Sequence, residues 1–481
     1  MNNALISVAL PLVTAVLLFL FAARVYSRFQ MLVTGGIVII VTTISLSASW
    51  LALWEAAAQP TASYLAIGGW EDGLAIRFRL TPLVALMLTF TALIHLLVAL
   101  YGTFSRHGVP KDYWSLSCFL HGTLAALWLS ADLFNLYVTL ELLSLSAVAL
   151  VALAGPSAWK PAADYLLLSL AASLCYLMGV ALIYGRYGLL DIAMLTVVVN
   201  DDLITRLALL LMTAGLMLKA ALWPLHLWLP AAHASAPTAV SALLSALVVK
   251  APLFILWVLW SQVAPPELAQ QMGPAFAVIG ILALVFGGFS AMRTPYLKVL
   301  VAYSTVAQLG YALMALGLLM AWQQPQMNSA LWLFVIAHGL AKTSLFLAAG
   351  QMQTTLGTKR ISGLRGATQT TPIAMFAFAV AGGSLIGLPP SGGFLAKWIL
   401  LEPLLSQPQN WPWALGVLLG TLVSAAYIFR VVALAFDRAR INPPELSSDH
   451  VGQWLALLPA FLVWVMALAG EQLIQLLAEG I

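Results

Sequence analysis

Residues 217–233 read MLKAALWPLHLWLPAAH. An apolar run carries a lysine, Lys219, then helix breakers at Pro224 and Pro230, with His226 and His233 beside them. A lysine at the middle of a bilayer costs about 2.5–3.5 kcal/mol on insertion scales. Prolines remove backbone donors, and a broken helix at membrane depth is tolerated only when buried in protein or lining a wet cavity. Interrupted helices of this kind are also the usual markers of ion sites in transporters. The stretch therefore points to a polytopic membrane protein with a charge placed inside it deliberately.

The rest of the chain agrees. Hydrophobic residues make up 62% of 481 and charged residues only 8%, against about 25% charged in a soluble domain. Mean hydropathy is +0.98. The 17 Trp and 13 Tyr suit interfacial belts. Cys118 and Cys175 both sit in apolar stretches without metal-ligand spacing, and read as small buried residues. The first apolar run, about residues 3–23, has no basic segment before it and no small-residue cleavage site, so it is expected to span. The net charge of +4 carries no argument for nucleic acid, and none is expected as a partner.

Apolar segments of spanning length fall near 3–23, 31–54, 81–101, 113–131, 133–154, 162–184, 205–229, 237–261, 272–291, 299–321, 329–353, 372–402, 412–435 and 451–477. Fourteen spans put both termini on one side. Odd-numbered loops hold Arg24, Arg28, Arg106, Lys111, Lys160, Arg293, Lys298, Lys359, Arg360, Arg365, Arg430, Arg438 and Arg440, whereas even-numbered loops hold only Arg77, Arg79, Arg186 and Arg206. The excess of positive charge places the odd loops in the cytoplasm and both termini outside the cell membrane. The longest loops, near 55–80 and 436–450, are too short to fold alone. No Gly-rich phosphate loop, flavin or haem motif, or iron–sulfur cysteine cluster is present, so no cofactor, metal or redox chemistry is expected on this chain.

Five ionisable residues remain deep in apolar segments: Glu141, Lys219, Lys250, Lys342 and Lys397. Desolvation favours the neutral form of a buried lysine and a nearby carboxylate favours the charged form, so moving the carboxylate switches proton affinity. Glu141 lies in NLYVTLELLSLSAVAL with no other charge within a helical turn, and Lys219 is its best partner. Lys250 (SALLSALVVKAPLFIL) and Lys342 (IAHGLAKTSLFLAAG, with His338 four residues before it) read as relay positions; the bland alternative is snorkelling of a long side chain to the interface. Lys397 follows a second interruption, GGSLIGLPPSGGFLAKWILLE. His226, His233 and His338 are secondary relay candidates, since an imidazole titrates near neutral pH. His95 and His121 read as packing residues, and Asp132 and Asp164 as caps or loop charges.

These motifs together resemble a known family. LMLKAALWPLHLWLPAAHASAPTAVSALL, LKVLVAYSTVAQLGYALMAL, AHGLAKTSLFLAAG and GLPPSGGFLAKWILL are similar to the antiporter-like, proton-translocating subunits: L, M and N of bacterial complex I, A and D of Mrp-type cation/proton antiporters, and relatives in membrane-bound hydrogenases. The resemblance covers about residues 75–435 and is nearest to a D-type or N-type subunit. It implies an all-α fold of about fourteen transmembrane helices, with two inverted five-helix repeats and two broken helices. On that pattern, 1–112 holds three N-terminal spans and 113–262 a first half broken near 219–230. Residues 272–436 hold a second half broken near 387–397, and 437–481 the last loop and span. The resemblance also implies that Glu141 and Lys219 form the input pair, Lys250 a relay and Lys397 an exit residue. Two departures stand out: AADY, with Asp164, where a lysine-bearing stretch is expected, and LPAAH where an acid would precede His233.

Two functions compete, with a third from another class. The chain is either a proton-pumping subunit powered by attached soluble redox subunits or a sodium/proton antiporter subunit working with other membrane subunits. The third reading is a transport-inactive scaffold, against which the five buried charges argue. Four lysines suit protons and repel sodium, whose site would need clustered carboxylates and carbonyls.

Overall fold

In hydrocarbon a backbone must satisfy its own polar groups, so the apolar runs fold as helices. The computed structural model describes residues 1–21, 27–59, 61–67, 76–106, 108–437 and 449–478. Helices α1 (Asn2–Leu20) and α2 (Arg28–Ala57) precede a hairpin of β1 (Ser63–Ile67) and β2 (Ile76–Leu80). Then come α3 (Pro82–Phe104), α4 (Tyr113–Leu129), α5 (Leu133–Ala152), α6 (Pro156–Tyr187), a short α7 (Ile192–Val198), α8 (Leu203–Lys219) and α9 (Trp228–Ser235). The run Thr238–Val263 contains α10 (Thr238–Leu243) and α11 (Lys250–Val258), each followed by a π-helical turn. The long α12 (Pro266–Arg293), α13 (Leu297–Trp322) and α14 (Pro325–Leu356) lead to a single turn, α15 (Ala367–Thr370). The chain closes with α16 (Pro372–Ile386), α17 (Gly392–Leu405), α18 (Trp411–Phe436), α19 (His450–Val465) and α20 (Gly470–Ala478).

Eleven helical runs among the described residues are long and apolar enough to cross a membrane. They coincide with eleven of the expected segments. The other three, 113–131, 205–229 and 372–402, hold the 17-residue α4 and two interrupted pairs, α8–α9 and α16–α17. Caps mark the helix starts: Ser27 and Gln30 form a capping box on α2, Thr81 caps α3, and Asp132, Asp191 and Asp202 cap α5, α7 and α8.

The fold is helical as expected, and one loop carries a short β element. The loop after α2 pairs Ser63–Ile67 with Ile76–Leu80 as an antiparallel hairpin, and Phe78 bridges to Ser130. Alternation in IRFRL puts Phe78 and Leu80 inward, and docking on a helix end supplies the burial that an isolated hairpin lacks. Several basic residues assigned to loops are helical. Lys160 lies in α6, Lys298 in the first turn of α13, and Arg430 in α18 with its guanidinium on the carbonyls of Met292 and Thr294. Arg24, Arg438 and Arg440 lie outside the described residues. Asp164 is exposed in the third turn of α6 rather than at a cap or in a loop.

Contacts between helix ends sort into two sets. On one side Arg77 pairs with Asp191 (3.2 Å), Arg79 with Gln262 (2.8 Å) and the N-terminal amine with Glu55 (3.6 Å). Elsewhere Asp449 accepts from the Arg106 amide (2.9 Å), Arg365 pairs with Asp437 (3.3 Å), and Tyr296 bridges Arg360. Even-numbered loops meet even-numbered loops and odd meet odd, the arrangement an alternating path produces. In the interior, α12 and α13 pack backbone on backbone. A Cβ on Gly280 would sit 2.5 Å from the Gly310 carbonyl oxygen, and Gly273 and Gly317 repeat the relation two turns away.

Candidate functional site

Lys219 is the last residue of α8, where free carbonyls favour a cation. The chain then leaves the helix through Ala221, at φ 53°, and resumes at Trp228. Trp228 closes the gap by donating to the Leu218 carbonyl (2.8 Å) and stacking on Tyr165 at 3.9 Å. Into this corner α5 brings Glu141 and Ser144, and α6 brings Ser169. The Lys219 ammonium donates to Glu141 (3.2 Å), Ser144 (2.8 Å) and Ser169 (2.9 Å). Its side chain is 3% exposed, whereas that of Glu141 is 17% exposed, so the carboxylate is the more accessible partner of the pair.

Lys250 follows the first π turn and is fully buried, its ammonium on the Ser245 carbonyl. The carbonyl that it meets belongs to a π-helical turn, an irregularity that recurs at functional sites. Ser245 in turn meets Thr305 at 2.9 Å. Lys342 is fully buried on α14 and donates to the Val301 carbonyl (3.0 Å) and to the Ser304 hydroxyl. Full burial excludes snorkelling for both lysines. His233, stacked on Phe346 at 4.5 Å, lies within electrostatic range of Lys342, Lys298 and Lys250. His338, stacked on Phe334, lies within range of Lys250, Lys342 and Lys397. His226 sits apart in the gap between α8 and α9, edge-on to Phe286 and Tyr303.

Lys397 donates to the last carbonyls of α16, Leu385 (2.7 Å) and Ile386 (3.2 Å), and lies 4.2 Å above the Tyr311 ring. Gly387, at φ +93°, ends α16 and leaves those carbonyls free for it. Among the described residues no carboxylate pairs with Lys250, Lys342 or Lys397. Only Lys219 has one.

The five ionisable positions read from the sequence thus meet in two groups, Glu141 with Lys219, and Lys250, Lys342 and Lys397 with His233 and His338. Sequence reasoning missed the neutral groups between them. Ser304, Thr305, Gln308 and Tyr311 form one stripe of α13, with Ser424 and Tyr427 facing it from α18. Polar spacing of three and four residues in an otherwise apolar helix was the available signal. Lys298, assigned to a loop, is buried with its ammonium on the Ala236 carbonyl (3.1 Å). His95 and His121 are buried and stacked at 4.5 Å, as packing residues would be.

Fold and site define a polytopic helical membrane protein that carries ionisable and hydroxyl side chains through its interior. Residues 130–424 match the family described as NADH:quinone oxidoreductase/Mrp antiporter, TM, and the chain belongs to it. It is 32% identical over 434 residues to NADH-quinone oxidoreductase subunit N of Desulforudis audaxviator, covering 88% of this chain and 85% of the relative. Against the D subunit of the Na(+)/H(+) antiporter of Bacillus subtilis it is 26% identical, covering 91% and 87%. A chain of the Mrp complex from Dietzia sp. DQ12-45-1b superposes with a TM-score of 0.89 at 23% identity, over 100% of this chain and 97% of that one, a likeness of fold.

Proposed function

We propose that this chain translocates protons as a membrane subunit of a multi-subunit complex. The observation that carries the reading is the Lys219 ammonium held by Glu141, Ser144 and Ser169 at the end of a broken helix. An ammonium in a dry pocket keeps its proton only while a carboxylate compensates it. Displacing the more accessible Glu141 drives the proton off, and Lys250, Lys342 and Lys397 supply further buried acceptors beyond it. The odd-numbered loops face the cytoplasm and both termini face outward, on the strength of their basic residues and of the two sets of loop contacts.

Similarity to an N-type oxidoreductase subunit and to a D-type antiporter subunit supports two energy sources equally: redox chemistry in attached soluble subunits, or exchange of protons for sodium with other membrane subunits. The lysines make this chain the proton path in either case. Two measurements test the reading. In proteoliposomes of the purified complex, Lys219→Ala and Glu141→Ala are each expected to abolish proton movement while assembly stays intact; near-normal movement in either overturns the pair mechanism and favours a scaffold. Tagging the C-terminus and identifying co-purifying proteins separates the two drives. Flavin or iron–sulfur subunits mean a redox pump, and small membrane subunits alone mean an antiporter.

A further inference from the structure

Lys397 has no carboxylate to hold its ammonium. That group has three N–H bonds to place, and two of them go to the Leu385 and Ile386 carbonyls at 2.7 and 3.2 Å. The remaining close contact is the face of Tyr311, whose ring centre lies 4.2 Å from Nζ. Lysine and tyrosine are 6% and 1% exposed, so little water screens the contact. The ring is also fixed in place. Its hydroxyl donates to the Val417 carbonyl at 3.0 Å and meets Thr421 at 3.3 Å. Only a glycine leaves room for it there, since a Cβ on Gly420 would sit 2.6 Å from the hydroxyl oxygen. The ionisable groups of the helices packed on α17 are His338 and Lys342 of α14, Tyr427 and Arg430 of α18 and His450 at the start of α19, while α16 has none. Lys298 of α13 is engaged on the Ala236 carbonyl, Glu402 of α17 itself is bonded by Gln326 at 3.2 Å, and Glu471 at the start of α20 is exposed. Among the described residues none of these gives Nζ a negative partner.

We propose that the Tyr311 ring is the counter-group of Lys397, taking the place that Glu141 has beside Lys219. The inference rests on the proton-translocating reading above. The negative face of an aromatic ring attracts a cation, most strongly where both are desolvated, and has little attraction for a neutral amine. It therefore favours the loaded lysine over the empty one. A buried carboxylate would favour it far more. A site that conducts must bind well enough to fill and weakly enough to empty, and a ring gives the intermediate strength that suits the exit role implied for Lys397. The two lysines differ in a second way. Glu141 is accessible and free to move, whereas Tyr311 is anchored through its hydroxyl, so the ring contributes a constant field and not a switch. Over one cycle Lys397 Nζ gains one proton and loses one, and Tyr311 exchanges none.

The test uses the intact complex in proteoliposomes, with the transport rate followed against proton concentration on the uptake side. Tyr311→Leu removes the ring and is expected to raise the proton concentration for half-maximal transport by roughly two- to thirtyfold, the range of a cation–π contact, with normal subunit recovery. Tyr311→Phe keeps the ring and is expected to stay within about twofold of the parent. Phenylalanine analogues bearing one, two or three fluorines at position 311 keep the shape of the side chain and weaken the ring face in steps. Each added fluorine is expected to raise the half-maximal proton concentration further. A flat fluorine series overturns the proposal. A Tyr311→Phe variant that behaves like Tyr311→Leu overturns it too, since the hydroxyl contacts would then be the cause. Lys219→Met in the same preparation keeps the two readings apart. If it retains transport, the proton-translocating mechanism fails; if it is inactive while the fluorine series is flat, only the role of the ring fails.

Discussion

Lys219 is held by three groups of unequal kind. Glu141 neutralises it, while Ser144 and Ser169 solvate it without charge. Were the carboxylate its only partner, swinging Glu141 away would leave a bare ammonium, and releasing one buried partner costs several kcal/mol. On the proposed mechanism the serines soften that penalty and make the exchange reversible. A hydrogen bond to a charged group is worth about 1.5–3 kcal/mol. Ser144→Ala is therefore expected to slow transport by roughly tenfold or more, and Ser144→Ala with Ser169→Ala to bring it to background. Proton uptake into proteoliposomes measures both, and an unaffected double variant would show that Glu141 alone holds the lysine.

At the scale of elements, two features set how the site is held. The first is the glycine seam of α12 and α13. Because α13 carries the polar stripe on another face, its distance from α12 fixes where Ser304 and Gln308 stand. A side chain at Gly280 meets the Gly310 carbonyl, so Gly280→Leu is expected to destabilise the protein by about 1–3 kcal/mol, seen as a lower thermal midpoint in detergent. The second is the N-cap of α5, the helix that presents Glu141. Burial, with some help from nearby Asp191, pushes the Asp132 carboxyl up to about 6 against the amide bonds from Asn135 and Phe134. A raised acid leaves stability fully present below about pH 4 and removes it as pH climbs through about 6. Asparagine caps as well as aspartate and carries no charge. Asp132→Asn is thus expected to raise the thermal midpoint at pH 8, by the equivalent of up to about 3 kcal/mol, and to leave it unchanged at pH 4. An equal gain at both pH values would mean that ionisation is not the cause.

For the whole molecule, the proposed topology rests on the excess of basic residues in odd loops, and the two sets of loop contacts agree with the alternation it requires. The four arginines of the even loops are answered locally: Arg77 by Asp191, Arg79 by Gln262, Arg186 by Asp202 and Arg206 by Asp201. Alkaline phosphatase fused after residue 478 is expected to be active outside the cytoplasm, and fused after residue 365 to be silent. The reverse pattern would turn the proton path around.

Spans, interruptions and buried charges were legible in the amino-acid sequence because each is a local conflict. A lysine in hydrocarbon or a proline in a helix is costly wherever the rest of the chain goes, so Glu141, Lys219, Lys250, Lys342 and Lys397 announce themselves. Lys219 could be named as the best partner for Glu141, and the family resemblance implied the pair, although 78 residues separate them. Uncharged partners are harder to find in this way. Serines and glutamines are inexpensive in any apolar helix that satisfies them; the spacing of Ser304 and Gln308 marks a polar stripe, but nothing local distinguishes Ser144 or Ser169 from a packing residue. Their meaning comes from which face of α5, α6 and α13 is turned inward, and that is set by packing between helices far apart in the chain. The hairpin at 63–80 follows the same rule. Its ten residues favour a strand pair only once Ser130 and the helix ends beneath them provide a surface on which to dock.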